Sequence, residues 1–175
     1  VINNIAGLGS VFIEKTWLTL LVQKLYKITL KGSKKVFFQN DEDRNLFIKN
    51  KLVETIKTDC LPGSGVNLKK FIPIKQPNNY KVRFLLVARV LWEKGIGEFV
   101  EAAKILLQGG YQAEFCILGF MDSKNPSSIK AAQMNKWVSK GYINYLGVTD
   151  DVGSEMAKAD CIVLPSYYRE GTPRS

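Results

Sequence analysis

The sequence has no histidine, only three cysteines and no long apolar run, and each of these deficits excludes a class of site. Without histidine, the commonest general base and the commonest metal ligand are absent from these 175 residues. Cys60, Cys116 and Cys161 are odd in number and far apart within apolar stretches, which predicts reduced core thiols rather than a disulfide framework or a zinc site. No stretch reaches the roughly 18 apolar residues of a membrane-spanning helix.

The chain also has fewer acidic than basic residues. The chain carries 25 Lys+Arg against 16 Asp+Glu, which gives a net charge of +9. This surplus favours acidic partners: nucleotide phosphates, an anionic membrane surface or nucleic acid. Nucleic acid is suggested by the charge alone, because no aromatic-basic stacking motif accompanies it. The apolar share of 46% is that of an ordinary globular protein.

The pattern of elements divides the chain into two parts. In the first part, apolar residues at helical spacing predict a helix over Ile13 to Leu30, with lysines between them. A strand is predicted over Val36 to Phe38, and Asp41 is placed to cap the helix that follows. The stretch 73–80 contains two prolines and two asparagines and is predicted to be a linker. The predicted domains are therefore 1–72 and 81–175, joined by this linker.

After the linker, strands and helices alternate regularly. The predicted strands are Val82–Val87, Ala113–Leu118, Tyr142–Leu146 and Cys161–Leu164, and the predicted helices are about Gly95–Leu107, Ile129–Ser139 and Asp151–Lys158. Such alternation predicts an α/β fold with a parallel sheet covered by helices on both faces. Ligands of these sheets bind outside the carboxyl ends of the strands. The turns after the four strands are therefore the candidate site.

These turns carry groups that suit a ligand with a diphosphate. Arg89 and Lys94 follow the first strand, and two cations there can neutralise a diphosphate. Gly119 follows the second strand, where a glycine lets a ligand approach the backbone closely. After the third strand, the backbone around Val148 and Thr149 could meet a nucleobase.

The end of the chain holds the most informative loop. A buried strand ending near Leu164 leads into a polar loop with a single acid, Glu170. Thr172 then suits the N-cap of a helix and Pro173 its first position. The free N–H groups of a helix start attract phosphate, so this loop can hold both hydroxyls and phosphates of one ligand. A nucleotide-sugar has both.

Taken singly, each of these residues has an ordinary explanation. Arg89 and Lys94 could be solvated surface charges, Glu170 a surface acid, and Gly119 and Gly147 turn glycines. The predicted helix over Ile13 to Leu30, with its lysines, could simply have one face in the core and one face in solvent. What favours a ligand site is the joint arrangement, in which all four strand ends are polar, glycine-rich or charged.

Several motifs together resemble a known family. They are Arg89…Lys94-Gly95, the loop Ser64–Asn67, Leu146-Gly147 and the segment Asp160–Pro173. The sequence resembles a retaining glycosyltransferase of family 4, which implies the GT-B architecture of two Rossmann-like, doubly wound domains. The resemblance covers essentially the whole chain. It implies that residues 1–72 are the end of the acceptor-binding domain and residues 81–175 a truncated donor-binding domain.

A narrower resemblance is carried by residues 7–12, 36–40 and 168–171. These segments look similar to bacterial enzymes that extend lipid-linked glycans and the polysaccharides of capsule and lipopolysaccharide O-antigen. The resemblance implies transfer of a hexosyl or N-acetylhexosaminyl group, with retention, from a nucleotide-sugar (UDP-linked by preference) to a lipid-linked or saccharide acceptor. It also implies a cytoplasmic protein that can lie on the inner face of the plasma membrane, with no nucleic-acid partner.

The resemblance further implies roles for individual residues. Arg89 and Lys94 would hold the donor diphosphate and stabilise its charge as it leaves, and Glu170 would bind hydroxyls of the donor sugar. Fixed positive charge would stand in for a metal, so no cofactor is expected. The remaining site residues implied are Gly119, Val148, Thr149, Gly171, Thr172 and Arg174 on the donor side, and Gly7, Gly9 and Gly65 in loops on the acceptor side.

Two departures from the family pattern accompany these expectations. Many relatives carry a histidine in the loop corresponding roughly to residues 3–9, and here either the backbone of residues 7–9 or other parts of the protein must supply that contact. The second glutamate of the family's motif would fall just beyond Ser175. The 175 residues are therefore expected to be a fragment of a longer enzyme, inactive by itself.

Three alternatives stay open at this point. A sugar-nucleotide epimerase can have the same fold. A non-catalytic nucleotide-sugar-binding protein would carry the same phosphate-binding groups. The basic helix, for its part, either packs in a core or rests on an anionic membrane through its apolar face.

Overall fold

The structure, a computed structural model, describes residues 1–8, 10–12, 16–61, 63, 65–69, 71–72 and 81–167. They form two compact units, one within residues 1–66 and the other within residues 67–167. The predicted linker, residues 73–80, lies outside the described residues. Among the described helices, none combines the length and the apolar character needed to cross a membrane.

The first unit is a small parallel α/β layer. Its elements are β1 (Ile2–Ile5), α1 (Trp17–Leu30), β2 (Lys35–Phe38), α2 (Asp41–Lys49) and β3 (Thr58–Cys60). The strands are parallel in the order β1-β2-β3. Phe38 and Phe47 are fully buried at its centre and pack edge to face, 5.1 Å between ring centroids, with Phe12 and Tyr26 against Phe47. Aromatic contacts thus supply much of the core of this unit.

The residues that begin and cap the helices of this unit differ in part from those predicted. Helix α1 begins at Trp17, where Thr16 and Thr19 cap each other's backbone N–H groups, and residues 13–15 of the predicted helix lie outside the described residues. The prediction that Asp41 caps α2 is wrong. Asn40 is the cap, because its side-chain oxygen accepts a hydrogen bond of 2.7 Å from the backbone N–H of Asp43. The sequence pattern did not predict β1 and β3, which are too short to show an alternation.

The second unit contains the larger sheet. Its elements are β4 (Val82–Val87), α3 (Ile96–Gln108), β5 (Ala113–Leu118), α4 (Ala131–Ser139), β6 (Asn144–Gly147), α5 (Val152–Ala157) and β7 (Cys161–Ile162). The strands are parallel in the order β6-β5-β4-β7. The predictions for β4 and β5 are confirmed residue for residue, while β6 is displaced toward its carboxyl end and β7 stops at Ile162 rather than Leu164.

Both faces of this sheet are covered, which confirms the doubly wound prediction. Leu86 and Ile117 belong to a core that includes residues of α3 and α4. Leu85 and Cys116, their neighbours in sequence, belong to a second cluster that includes Met156 of α5. Alternate residues of a strand point to opposite faces, so a strand buried on both sides reads as a continuous apolar run.

The three cysteines are free, and two of them, Cys60 and Cys116, pack in or against a core. Cys116 is buried, Cys60 is half-buried and Cys161 is exposed. The prediction that all three lie in the core is wrong for Cys161. That residue opens the two-residue strand β7, where its side chain reaches solvent.

An ionic network closes the amino end of the larger sheet around Arg83. Its guanidinium lies 3.1 Å from Glu155 and 3.4 Å from Glu114, the second contact being an ion pair without hydrogen-bond geometry. Lys158 donates to Glu155 at 2.6 Å. Hydrogen bonding from Lys158, together with that from Arg83, lowers the pKa of Glu155 below its ordinary value and outweighs the opposing effect of desolvation.

We expect Glu155→Gln to destabilise the protein by about 1 kcal/mol at neutral pH. A carboxyl whose pKa is lowered by folding contributes stability above the ordinary glutamate pKa of about 4.3, and that contribution is lost as the pH falls through the lowered pKa of the folded state. Urea unfolding of both proteins across this range should show the difference in free energy shrinking in acid. Glu101→Gln, which breaks an exposed pair with Lys104, is the control. A difference that does not change with pH would contradict this role for Glu155.

Candidate functional site

Backbone hydrogen bonds join the turns after β4 and β5 to the carboxyl ends of the neighbouring strands β5 and β6. The N–H of Ala88 donates to the carbonyl of Leu118 at 3.1 Å, and the N–H of Gly119 donates to the carbonyl of Gly147 at 2.8 Å. We call the turns after β4, β5, β6 and β7 the carboxyl edge. Because these segments are hydrogen-bonded directly to one another, the side chains on this edge project from a fixed backbone.

Arg89 stands at the centre of this edge. The residues on both sides of it are fixed, since Ala88 bonds to Leu118 and the N–H of Val90 donates to Phe120 at 2.9 Å. Its side chain is exposed, and within the described part of the chain its guanidinium has no ion-pair partner. A planar cation held by a rigid backbone at a strand end can bind a phosphate bidentately.

Lys94 lies beside the start of a helix on the same edge. It ends the short 3₁₀ turn Trp92–Lys94, and Gly95 then turns the chain in the left-handed region (φ 70°) so that α3 begins at Ile96. Among the described residues no side chain caps α3, and the N–H groups of a helix's first turn can receive an anion. The half-buried Lys94 adds a full positive charge to the partial positive charge of the helix N-terminus.

The loop after β7 is fastened to the same turn. The carbonyl of Glu93 accepts from the hydroxyl of Ser166 at 3.2 Å and from the N–H of Tyr167 at 3.4 Å. A Cβ at Gly95 would overlap the carbonyl of Pro165, so the two segments are in close contact. The chain that leads toward Glu170 therefore starts next to Lys94.

Part of the predicted site lies beyond this point. Residues 168–175 are outside the described residues. The predicted helix start with its N-cap belongs to this stretch, together with Glu170, Gly171, Thr172 and Arg174.

The structure explains why position 119 is a glycine, which the sequence alone did not. A Cβ at this position would overlap the carbonyl oxygen of Ala88 in the neighbouring strand end. The glycine is therefore required by the approach of β4 to β5, whether or not a ligand also lies there. The hydroxyl of Tyr145 donates to the carbonyl of Gly119 at 2.8 Å, and burial raises the pKa of Tyr145, which keeps this donor protonated.

Val148 and Thr149 form the part of the edge that follows β6. Gly147 turns the chain (φ 73°), and Val148 is 67% exposed. The hydroxyl of Thr149 accepts from the N–H of Asp151 at 3.1 Å, and Asp151 in turn caps α5. An apolar side chain thus faces solvent beside a fixed polar backbone, which suits a flat polar ligand such as a nucleobase.

Phe120 is an exposed aromatic residue on this edge that the sequence pattern did not identify as part of the site. Phe120 follows Gly119 directly, and its side chain is 58% exposed. An aromatic residue immediately after a strand-end glycine was the signal that could have identified it. Its ring is available for stacking on a planar ligand.

The glycines predicted for the acceptor side lie in the first unit. Gly7 follows β1, and Gly65 follows β3 in the left-handed region (φ 71°) with open space where a Cβ would stand. Gly9 lies outside the described residues. In the ranges that the structure describes, no group of three or more His, Cys, Asp or Glu residues is placed to hold a metal ion.

Comparison with curated proteins gives relatives of one kind. The chain is 34% identical to N,N'-diacetylbacillosaminyl-diphospho-undecaprenol alpha-1,3-N-acetylgalactosaminyltransferase of Campylobacter jejuni, over 98% of this chain and 47% of that protein. It is 24% identical to UDP-Gal:alpha-D-GlcNAc-diphosphoundecaprenol alpha-1,3-galactosyltransferase of Escherichia coli, over 99% and 47%. The chain therefore spans about half the length of these relatives. Residues 81–175 match the family described as glycosyl transferases group 1.

Solved structures agree on the fold. The HepE protein of Anabaena in complex with UDP superposes with a TM-score of 0.73 at 15% identity, over 97% of this chain and 47% of that one. A glycosyltransferase from Rickettsia africae gives a TM-score of 0.69 at 19% identity, over 97% and 46%. At these identities the likeness establishes the fold, which is GT-B.

Proposed function

Because this chain belongs to the glycosyl transferases group 1 family, we propose that the full-length protein transfers a sugar from a nucleotide-sugar to a lipid-linked glycan acceptor. The observation that carries the proposal is the junction of the Arg89 and Lys94 turns with the loop after β7 on one sheet edge. The donor is a UDP-sugar by preference, since a structural neighbour binds UDP and one relative is named for UDP-galactose. Both curated relatives are named for undecaprenol-diphosphate-linked acceptors.

The chemistry follows from the charges on this edge. Breaking the bond between sugar and nucleotide leaves a diphosphate, and positive groups aimed at the developing charge lower the barrier to this step. Arg89 and Lys94 supply two cations, and the start of α3 adds the partial positive charge of a helix N-terminus. We propose that this fixed charge takes the place of a metal ion and that the sugar is transferred with retention at its anomeric carbon.

The other donor contacts divide between the base and the sugar. We assign Val148, Thr149 and the exposed ring of Phe120 to contacts with the nucleobase. We also assign a backbone contact with the donor to Gly119, in addition to its close packing against Ala88. We assign Glu170 to hydroxyls of the donor sugar, and Gly171, Thr172 and Arg174 to the sugar or its phosphates.

The acceptor belongs to the first unit in this proposal. The loops with Gly7 and Gly65 follow strands β1 and β3 and would face the glycan. Residues 1–72 are then part of an acceptor-binding domain and residues 81–175 part of a donor-binding domain. The product would enter a bacterial cell-surface polysaccharide such as capsule or lipopolysaccharide.

A donor panel tests the proposal on the full-length protein. UDP-, GDP- and ADP-sugars are assayed for binding and then for release of nucleoside diphosphate, with and without a polyprenyl-diphosphate-linked saccharide. We expect a UDP-sugar to bind and to be consumed only when the acceptor is present, with unchanged activity in a chelator. Donor binding without transfer would identify a non-catalytic binding protein. Conversion of the donor sugar into another sugar in the absence of acceptor would identify an epimerase.

Helix α1 supports a membrane contact for the same protein. Most of its apolar residues face solvent. Its core face is formed by Thr19, Tyr26 and Leu30. Trp17 is 77% exposed and Ile28 63%. We call the exposed set the apolar stripe, which consists of Trp17, Leu18, Leu20, Leu21, Leu25 and Ile28.

Charge complementarity favours an anionic membrane as the partner of the apolar stripe. Lys24, Lys27 and Lys31 are exposed on the same helix, and a helix with an apolar face beside lysines is typical of proteins that lie in a membrane interface. We propose that α1 places the enzyme on the inner face of the plasma membrane, where a lipid-linked acceptor is found.

Reversing these three charges tests the membrane contact. We expect Lys24→Glu, Lys27→Glu and Lys31→Glu together to abolish binding of the full-length protein to vesicles that contain anionic lipid, since each lysine near such a surface contributes about 1 kcal/mol. Co-sedimentation is the measurement. Binding that persists in this variant, or a stripe that is covered by the rest of the folded protein, would count against the proposal.

A further inference from the structure

The first unit contains a cavity that the proposed transfer reaction does not use. Its volume is about 470 Å³, and it lies between the carboxyl ends of α1 and α2 and the 3₁₀ turn before β3. Leu30 and Leu52, both buried, contribute apolar surface to it. The ionisable residues around it are Lys27, Lys31, Lys51, Lys57 and Glu54. We call this cavity the basic cleft.

The basic cleft has an excess of positive charge. Four lysines against one glutamate leave a net charge of +3. Lys57 is paired with Glu54 at 2.9 Å. Within the described ranges, Lys27, Lys31 and Lys51 have no ion-pair partner. Three cations held around one concave surface favour a ligand with a concentrated negative charge, such as a phosphate.

Lys51 lines this cleft and has a backbone conformation that residues other than glycine rarely adopt. Its φ of 54° makes it the one described residue other than glycine in the left-handed region. The N–H of Lys51 donates to Ile48 and that of Leu52 to Phe47, so Lys51 occupies the position after a helix that glycine normally takes. A lysine there is strained relative to glycine, and such outliers concentrate at binding sites.

The basic cleft lies at the opposite end of the sheet from the proposed acceptor loops. Lys31 lies shortly before β2, and Lys57 lies directly before β3. Gly7 and Gly65, in contrast, follow their strands. A four-residue strand separates the two ends by about 13 Å, so one phosphate cannot occupy both places.

We propose that the basic cleft binds the phosphate head group of an anionic membrane lipid. Lys27 and Lys31 belong both to the cleft and to the helix with the apolar stripe, and Ile28 of that stripe lies between them in sequence. A phospholipid presents a phosphate next to acyl chains and matches both surfaces at once, whereas a free phosphate matches only one. This inference rests on the proposed membrane contact of α1 but not on the transfer reaction.

Two single variants separate a built site from diffuse attraction. Lys31 and Lys24 lie on the same helix and are both exposed, but only Lys31 lines the cleft. The full-length Lys31→Gln and Lys24→Gln proteins are titrated with vesicles of phosphatidylcholine alone or mixed with phosphatidylglycerol. We expect Lys31→Gln to weaken binding to the mixed vesicles at least ~10-fold and Lys24→Gln no more than about fivefold, the effect of one lysine near an anionic surface. Equal losses would overturn the proposal.

Lys51→Gly removes a cleft lysine while relieving its backbone. We expect its melting temperature to be unchanged or higher and its binding to phosphatidylglycerol vesicles to fall as in Lys31→Gln. Wild-type affinity in this folded variant would contradict the proposal. Transfer to a short-chain acceptor in detergent should stay at the wild-type rate, so a failure of the proposed reaction is seen independently.

Inorganic phosphate and glycerophosphoglycerol distinguish the two sources of the anion. We expect the head-group compound to compete with mixed vesicles for wild type and for Lys24→Gln. Competition by inorganic phosphate at least as strong as that by glycerophosphoglycerol would show a free-phosphate site and overturn the lipid assignment.

Discussion

Arg89→Ala or Lys94→Ala in the full-length protein is expected to lower turnover at least ~100-fold, the scale of losing one donor to a charged transition state. Both residues are held on the carboxyl edge by backbone contacts, Arg89 between two residues bonded to the turn after β5 and Lys94 in the turn bonded to the loop after β7. Each cation would face the diphosphate as its negative charge increases. The loss should therefore appear mainly in kcat rather than in donor affinity.

Steady-state release of UDP, with acceptor saturating, measures this effect. Arg89→Lys is the informative intermediate, because it keeps the charge but loses the bidentate geometry, and we expect its rate to lie between those of wild type and Arg89→Ala. Lys104→Ala, at an exposed position of α3, controls for a change in net charge. A normal rate in Arg89→Ala or Lys94→Ala would remove that residue from the mechanism.

Gly95→Ala is expected to destabilise the protein by about 3 kcal/mol or more and to impair transfer as well. The new Cβ would meet two penalties: a left-handed backbone (φ 70°) and overlap with the carbonyl of Pro165. Relieving the overlap requires Pro165 to move, and the loop after β7 would move with it. That loop leads to Glu170 and is bonded to the turn of Lys94, so the relative position of the two charges would change.

Gly141→Ala is a closely matched control for this substitution. Gly141 has nearly the same backbone conformation (φ 69°) but open space at its Cβ position. We expect it to cost only the backbone term, about 1 kcal/mol, and to leave transfer unchanged. Urea unfolding of both variants then isolates the overlap with Pro165. Equal costs for the two substitutions would show that the loop after β7 is not held against Gly95.

The larger sheet and its polar edge were accessible from sequence because their signals are local. Apolar runs such as Val82–Val87 and Ala113–Leu118 are long enough to identify buried strands, and both are correct to the residue. Since parallel strands end at one edge, the turns with Arg89, Lys94 and Val148 could be assigned to a common region before any coordinates. The shorter strands β1 and β3 gave no such signal, because few residues cannot display a period.

The amino-acid sequence by itself determined the alternation of strands and helices, the charge surplus and the residues that reach the carboxyl edge, since each of these depends on neighbours along the chain. Only the tertiary structure decided which side of α1 is buried, why Gly119 must be a glycine, and that lysines from the end of α1, the turn after α2 and the turn before β3 surround one cleft. These features depend on distances between segments that are far apart in sequence. A helical pattern reports where apolar residues lie around the axis, but the packing of Thr19, Tyr26 and Leu30 within the first unit determines which of them meet solvent.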